Sequence, residues 1–589
     1  MFVHYCFVFS CLIGIFFYLS LRRQESKGIL VLGMVCITFF SYLLSYEYPV
    51  SEINCDYLVV FYPLVISFVL IILTSATNVA DSPGCKNKNG FFVVCLIATL
   101  CFQMLSLVFI YGIPWIKNTF MVDNAEAVVF TLKTSKQGAW NVVLESFSKE
   151  VFKPSFSHLF LGIASFLALL LFVYVPNKKI ALSVCKKKIF FERKRIFENL
   201  FFGNLALSVI WGSLAIMSVP IIWNSAVNIY KAYTKEGVVV KSELYKTYYV
   251  SPDSVQIKFP SKPKNLIFIM LESMGVEHIK ALEELKVLQE ENVSFLPGGE
   301  SIAMQGWTIG SQIAKYCGVP LKFPVYDSIQ VFLPNAFCIQ DLLDKNGYRQ
   351  LFVQGTDKKF SSFGYFIETH SNVEMHDFLY YEKTGQVGNA KSGWGIDDSR
   401  LFELLKEELD KMPDNQPFAV YSMTMDTHWP MGFVGKNCDI GTNDLNDKSG
   451  TYRTALKCSS KYVKEFLDWA KTKKWFDNTL IVIQGDHIIP KTLRNLLSMP
   501  PSDSSKYWYN VFINAPKPEN VYRNFSAFDI YPTIVEMMGA KLGDGHRLAL
   551  GTSLLSKEKT LLEILGRIKL DSLLMLNDEM DLYFMGINK

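Results

Sequence analysis

Four side chains in the second half of the chain have the types and settings for metal-assisted attack on a phosphate ester. Glu272 closes the apolar run Leu266-Ile267-Phe268-Ile269-Met270-Leu271, and Asp486-His487 follows the apolar run Leu480-Ile481-Val482-Ile483. Thr308 stands in Gly306-Trp307-Thr308-Ile309-Gly310. Two carboxylates, an imidazole and a hydroxyl make a mixed oxygen and nitrogen ligand set that suits one divalent ion, Mn²⁺, Zn²⁺ or Mg²⁺. A free threonine alcohol is a poor nucleophile, and a bound divalent cation makes it easier to deprotonate and aim. Residues 308–316 read as a helix. Thr308 would then sit at the positive end of its dipole, among backbone N–H groups that favour a phosphate, with Gly306 and Gly310 allowing close backbone approach. Each piece alone has a plain structural reading: Glu272 as a helix cap, Asp486-His487 as a turn, and Thr308 as an N-cap. Their joint occurrence argues for chemistry.

Two further residues are candidates for contacting substrate. His428, in Met425-Asp426-Thr427-His428-Trp429-Pro430, has the type to bind a phosphate oxygen or protonate a leaving group, or to be a satisfied structural histidine. Trp394, in Gly393-Trp394-Gly395-Ile396-Asp397-Asp398, would pack on a polar head group or simply be core. His370, His376 and His546 have no comparable framing.

The elements that must position these groups alternate. Strand-like runs at Leu266–Leu271, Leu351–Val353, Phe418–Met423 and Leu480–Ile483 are separated by amphipathic stretches at Val276–Glu290, Ser399–Lys411 and Tyr462–Lys471. This pattern predicts an α/β domain over 264–589, with a mostly parallel sheet and helices on both faces. In such sheets reactive groups gather beyond the carboxyl ends of the strands. Glu272, Asp426-Thr427-His428 and Asp486-His487 all follow strands.

The first half has another solvent. Half of the 589 residues are hydrophobic, and the apolar excess is concentrated before about residue 224. Six stretches, 2–21, 29–46, 57–76, 91–113, 159–175 and 200–223, are each long enough to cross about 30 Å of hydrocarbon. This predicts a polytopic transmembrane domain over 1–223 and a linker over 224–263. The first stretch lacks the basic start and small-residue cleavage site of a signal peptide. Basic residues gather after spans one, three and five, most densely from Lys178 to Arg195. The positive-inside rule then puts those loops in the cytoplasm and everything after residue 223 outside. Net charge is +4, from 59 basic and 55 acidic residues, which gives no case for nucleic-acid binding. Four of the 12 cysteines, Cys317, Cys338, Cys438 and Cys458, fall in the outer half. An oxidising compartment suggests two disulfides there. Sequence neighbours favour Cys317–Cys338 and Cys438–Cys458 among three connectivities, and four free buried thiols are the alternative.

The second half resembles the alkaline-phosphatase and sulfatase superfamily, in its membrane-anchored phosphotransferase branch. Lipoteichoic acid synthase and the phosphoethanolamine transferases belong to that branch, and the resemblance is strongest to its phosphoglycerol transferases. The residues that carry it are Gly306-Trp307-Thr308-Ile309-Gly310 with Cys317-Gly318-Val319-Pro320-Leu321, then Phe352-Val353-Gln354-Gly355, Asp426-Thr427-His428, Trp475-Phe476-Asp477-Asn478-Thr479 and Asp486-His487. The resemblance implies a metal held by Glu272, Thr308, Asp486 and His487, with Thr308 as covalent nucleophile and His428 on the phosphoglycerol group. It also supports the two disulfide pairings. The implied activity moves phosphoglycerol from phosphatidylglycerol to a periplasmic or cell-envelope glycan at the bacterial inner membrane, through a threonine-linked intermediate, releasing diacylglycerol. A phosphoethanolamine transferase acting on lipopolysaccharide and a membrane-tethered phosphodiesterase are the alternatives. No Cys-x-Pro-x-Arg segment occurs, which argues against a formylglycine sulfatase.

Overall fold

The computed structural model describes residues 240–586 apart from 323–330, 361–362, 371, 393, 429–431, 436, 439–447, 490–493 and 495–501. In the first half it describes only 111–112, 147–153, 180–184 and 187–191. Nearly all of the six apolar stretches therefore lie outside the described residues. Among those described, no helix is long and apolar enough to cross a membrane. Within the basic loop, Ile180–Val184 and Lys187–Phe191 pair as an antiparallel hairpin.

The second half is built on a six-stranded sheet. In chain order its strands are β1 (Asn265–Leu271), β2 (Arg349–Gln354), β3 (Glu374–His376), β4 (Phe418–Met423), β5 (Thr479–Gly485) and β6 (Asn510–Ile513). Across the sheet the order is β6-β5-β1-β4-β2-β3. β1 to β5 are mutually parallel, and β6 joins β5 antiparallel. The helices that matter for the site are α1 (Glu243–Tyr248), α2 (Glu283–Glu291), α3 (Thr308–Cys317), α4 (Asp398–Leu409), α5 (Lys448–Ala470), α6 (Ile530–Met537), α7 (Leu561–Leu574) and α8 (Glu579–Phe584).

β1 is apolar at almost every position because both of its faces are covered. Leu266, Phe268 and Met270 point to one core with Ile309 and Ile313 of α3, Ile534 of α6 and Leu570 of α7. Ile267, Ile269 and Leu271 point to the other, with Leu285 of α2, Leu405 of α4 and Phe466 of α5. The two-residue side-chain period of a strand produces this division. Each fully buried Leu, Ile or Phe is worth about 1.5–3 kcal/mol relative to exposure, so β1 is fixed in register and depth. The residue that follows it, Glu272, is thereby delivered to a fixed point at the sheet's carboxyl edge.

Two stretches differ from the sequence reading. The helix expected over Val276–Glu290 is split into Val276–Ile279 and α2, because buried Leu282 leaves the helical region at φ −121°, ψ 83°. Residues 240–263, read as linker, pack on the domain where described. Leu244 and Tyr245 of α1 are buried, and Ile257–Lys258 pairs antiparallel with Lys541–Leu542.

Candidate active site

β1 and β5 are neighbours paired in parallel from Thr479↔Asn265 to Gly485↔Leu271. Equal length and register bring Glu272 and Asp486 out side by side at the same edge. Both side chains are fully buried. Ser273 then turns into the left-handed region at φ +52°, uncommon for a residue with a Cβ. That turn aims its N–H at Asp486 Oδ1 (2.7 Å) and its hydroxyl at Glu272 Oε1 (2.6 Å). The loop after β4 grips the same point: Glu272 N–H donates to Thr424 Oγ1 (3.0 Å), and the Thr427 hydroxyl donates to the Glu272 carbonyl.

His487 completes the cluster. Its Nδ1 lies 2.7 Å from the Ile488 carbonyl. A carbonyl only accepts, so Nδ1 carries the proton and Nε2 presents a lone pair. Nε2 lies 3.4 Å from Asp486 Oδ2, 3.6 Å from Glu272 Oε1 and 3.5 Å from Thr308 Oγ1. Thr308 Oγ1 is also 3.4 Å from Glu272 Oε2. The ligand atoms of Glu272, Asp486 and His487 all lie within 4.8 Å of one another. Asp486 Oδ2 is buried with no hydrogen-bond donor. Burial, and then the negative charge of Asp486 beside it, push the Glu272 carboxyl well above its ordinary range. Two buried carboxylates, an orphaned oxygen and an imidazole lone pair on one point form an arrangement that a cation would relieve. The residues present fit a divalent ion.

α3 supplies Thr308 and much of the second layer. Trp307, extended at φ −155°, precedes the helix, and no side chain caps it. The first-turn N–H groups thus remain available to an anion. Positions 308, 311, 312 and 315 share one helical face, and all are polar. Ser311 donates to the Asp486 carbonyl, as does Lys315 Nζ (2.9 Å), which also reaches the Gly485 carbonyl. Lys315 is fully buried. Burial lowers its pKa to about 7, against the opposing pull of Asp486. Gln312 lines a narrow cavity with Thr308, Gln354, Thr356, Phe360 and Met425, and its Oε1 is buried without a partner. Gly318 ends the helix in the left-handed conformation at φ +67°, where glycine is the standard C′ residue. The structure joins Cys317 to Cys338 beside it, and Cys438 to Cys458 elsewhere.

His428 and Trp394 stand together. Their ring centroids are 4.3 Å apart, and Phe360 packs edge-on against both at 5.7 and 5.6 Å. Phe360 also lines the cavity beside Thr308, which makes the aromatic group part of the same edge. Two buried aspartates brace the turns that carry it. Asp398 accepts the N–H groups of Met425 (2.8 Å) and Asp426 (3.1 Å), and its own N–H donates to Asp426 Oδ2 (2.9 Å). Burial raises the Asp398 pKa to about 7, while those two N–H donors oppose the rise.

Sequence reasoning gave no role to Gln312, Lys315, Gln354, Phe360 or Asp398. The polar stripe 308-311-312-315 was the available signal for the first two. A second group, Cys338, Asp341 and His370, also gathers metal-ligand atoms. The sulfur of Cys338 is committed to its disulfide, and both His370 nitrogens are engaged, by Asp341 (2.9 Å) and the Phe332 carbonyl (3.0 Å).

In comparison with known proteins, the sulfatase family model matches residues 320–540. Among individual proteins the chain is similar to phosphoglycerol transferase I of Escherichia coli (strain 55989 / EAEC), at 27% identity over 342 residues, 55% of this chain and 43% of the relative. The protein of that name from Citrobacter koseri is 26% identical over 329 residues, 53% of this chain and 41% of the relative. The chain thus spans less than half the length of these curated relatives. Among solved structures, lipoteichoic acid synthase LtaP from Listeria monocytogenes superposes with a TM-score of 0.42 at 19% identity, over 53% of this chain and 80% of that one.

Proposed function

We propose that this chain is a membrane-anchored, metal-dependent phosphotransferase. It moves phosphoglycerol from phosphatidylglycerol to a periplasmic or cell-envelope glycan and releases diacylglycerol. The observation that carries the reading is Thr308 Oγ1 at 3.4–3.5 Å from Glu272 and His487, at the uncapped start of a helix. The similarity to phosphoglycerol transferase I supports the choice of head group.

In this reading Glu272, Asp486, His487 and the Thr308 hydroxyl hold one divalent ion. When bound, the ion acidifies the threonine alcohol and offsets charge on the phosphoryl oxygens. The Thr308 oxygen attacks phosphorus, a threonine–phosphorus ester bond forms, and the bond to the diacylglycerol oxygen breaks. That oxygen takes up a proton and diacylglycerol stays in the bilayer. The first-turn N–H groups of α3 bind the phosphoryl oxygens. His428, held by Trp394 and Phe360, contacts the phosphoglycerol group. A glycan hydroxyl then attacks phosphorus, displaces Thr308 and carries the phosphoglycerol away. Ser311 and Lys315 hold the Asp486 backbone through both half-reactions. The six apolar stretches and their loop charges support a catalytic half in the periplasm, next to its lipid donor.

The test incubates the purified protein with labelled phosphatidylglycerol and no acceptor, then maps adducts by mass spectrometry. Glycerophosphate on Thr308 is expected. Diacylglycerol release with Thr308 unmodified would refute the covalent route. An ethanolamine phosphate adduct, formed from phosphatidylethanolamine in its place, would reassign the head group. Release of glycerophosphate to water at the same rate with and without glycan would make the protein a phosphodiesterase.

A further inference from the structure

A second cavity shares no lining residue with the one beside Thr308. Side chains from the segments 249–253, 335–337 and 580–583 line a half-open cavity of about 250 Å³. Tyr249, Phe337 and Tyr583 give it aromatic walls, and Ser251, Asp253 and Asn335 give it polar edges. The three segments are locked together before any ligand arrives. Asn335 Nδ2 donates to the Tyr583 carbonyl (2.8 Å), Val250 and Ala549 exchange backbone hydrogen bonds, and the Phe584 ring packs 5.5 Å from Tyr249 and 5.9 Å from Tyr245. A preformed cavity spares a ligand the cost of ordering it. Tyr583 remains 49% exposed, an aromatic face open to a ligand from solvent.

The lining restricts the guest. A lipid tail would strand Asp253 and Asn335 against hydrocarbon, which is costly without partners. A phosphate would meet the Asp253 carboxylate with no lysine, arginine or histidine in the wall. The volume is below the roughly 300–1,000 Å³ of pockets for drug-sized molecules. A sugar ring meets every condition. Its C–H face lies on an aromatic face, and its neighbouring hydroxyls pair with a carboxylate, an amide and a hydroxyl.

We propose that this cavity binds a neutral saccharide unit and serves as a docking subsite for the glycan acceptor. Its place in the reaction rests on the function proposed above, whereas binding itself requires no catalysis. The segment 249–253 that lines the cavity lies in the stretch read from sequence as linker.

The experiment titrates the full-length protein in detergent with neutral hexasaccharides of glucose, galactose and N-acetylglucosamine, by calorimetry and saturation-transfer NMR. Binding of at least one is expected. Tyr583→Ala should weaken it about tenfold, since an aromatic contact worth about 1.4 kcal/mol is a factor of ten. Asp253→Asn should weaken it by a smaller factor, and both variants should melt as the parent does. Absence of binding by all three saccharides would overturn the proposal. So would binding that neither Tyr583→Ala nor Phe337→Ala reduces, or capture of choline without any saccharide. Thr308→Ala should bind saccharide like the parent. Intact binding with no Thr308 adduct in the parent would therefore sink the covalent reading alone.

Discussion

Replacing Gly310 by alanine tests how the nucleophile is positioned. A Cβ built there falls 2.5 Å from the Met304 carbonyl oxygen and 2.3 Å from Trp307 Nε1. Ordinary contact begins near 3.4 Å, so the backbone of the 304–307 loop must retreat by about 0.9 Å or α3 must roll by as much. Either motion shifts Thr308, which lies between that loop and Gly310. Displacement by about 1 Å is enough to cost on the order of 10²-fold in rate, and overpacking of this kind costs about 1–3 kcal/mol in stability. Gly306 is the control. Its Cβ would meet nothing nearer than Ser301 Oγ at 3.9 Å. The assay is initial-rate diacylglycerol release from phosphatidylglycerol vesicles, with thermal unfolding alongside. Gly310→Ala should lose about 10²-fold and Gly306→Ala only a few-fold. Parental activity in Gly310→Ala would refute the packing argument. An equal loss in Gly306→Ala would show that the approaching phosphate, and not the loop, requires a missing side chain.

Two further expectations concern stability. Burial raises the Asp529 pKa to about 7, so the folded protein holds a proton that the unfolded chain releases near pH 4. Folded stability from this group is complete below about pH 4 and is lost as pH rises to about 7. Urea unfolding of Asp529→Asn relative to the parent should therefore shift in the variant's favour by up to about 1.4 kcal/mol per pH unit across that window, and level off above it; an opposite slope would mean that the Ser526 and Thr552 N–H groups keep the carboxylate ionised. Arg523 is buried and bridges both oxygens of Glu563 (2.9 and 3.0 Å) and the Ser556 carbonyl (2.7 Å). Arg523→Met should lower stability by about 1–3 kcal/mol, because it leaves the part-buried Glu563 without its charge partner and the Ser556 carbonyl without its donor, and an unchanged unfolding midpoint would contradict this.

The sheet was legible where strands were long and buried on both faces. β1, β4 and β5 announce themselves as apolar runs, and Glu272 and Asp486-His487 stand out because polar ligand types end those runs. β3 and β6 have three and four residues, too short for a pattern. Lys315 and Asp398 were not legible as part of the site. A lysine in an amphipathic stretch reads as a solvated face until the fold shows it reaching the Gly485 and Asp486 carbonyls. Asp398 reads as an N-terminal helix carboxylate, which it is, while its grip on the Met425 and Asp426 N–H groups depends on β4 lying alongside. Residues 240–263 carry prolines and scattered apolar side chains without a strand or helix period, so the burial of Leu244 and Tyr245 against distant helices left no local trace. The expectation of a polytopic first half, with its orientation, comes from hydropathy and loop charge.

The central claim is convergence of Glu272, Asp486, His487 and Thr308 on one divalent ion, and metal binding reads it most directly. Protein stripped with chelator and dialysed against Mn²⁺ or Zn²⁺ should retain one ion per chain by plasma mass spectrometry. Glu272→Gln, Asp486→Asn and His487→Ala should each weaken that binding by at least tenfold in calorimetry without unfolding the domain. Full retention of the ion by Asp486→Asn, whose orphaned buried oxygen is the clearest demand for a cation, would contradict the account.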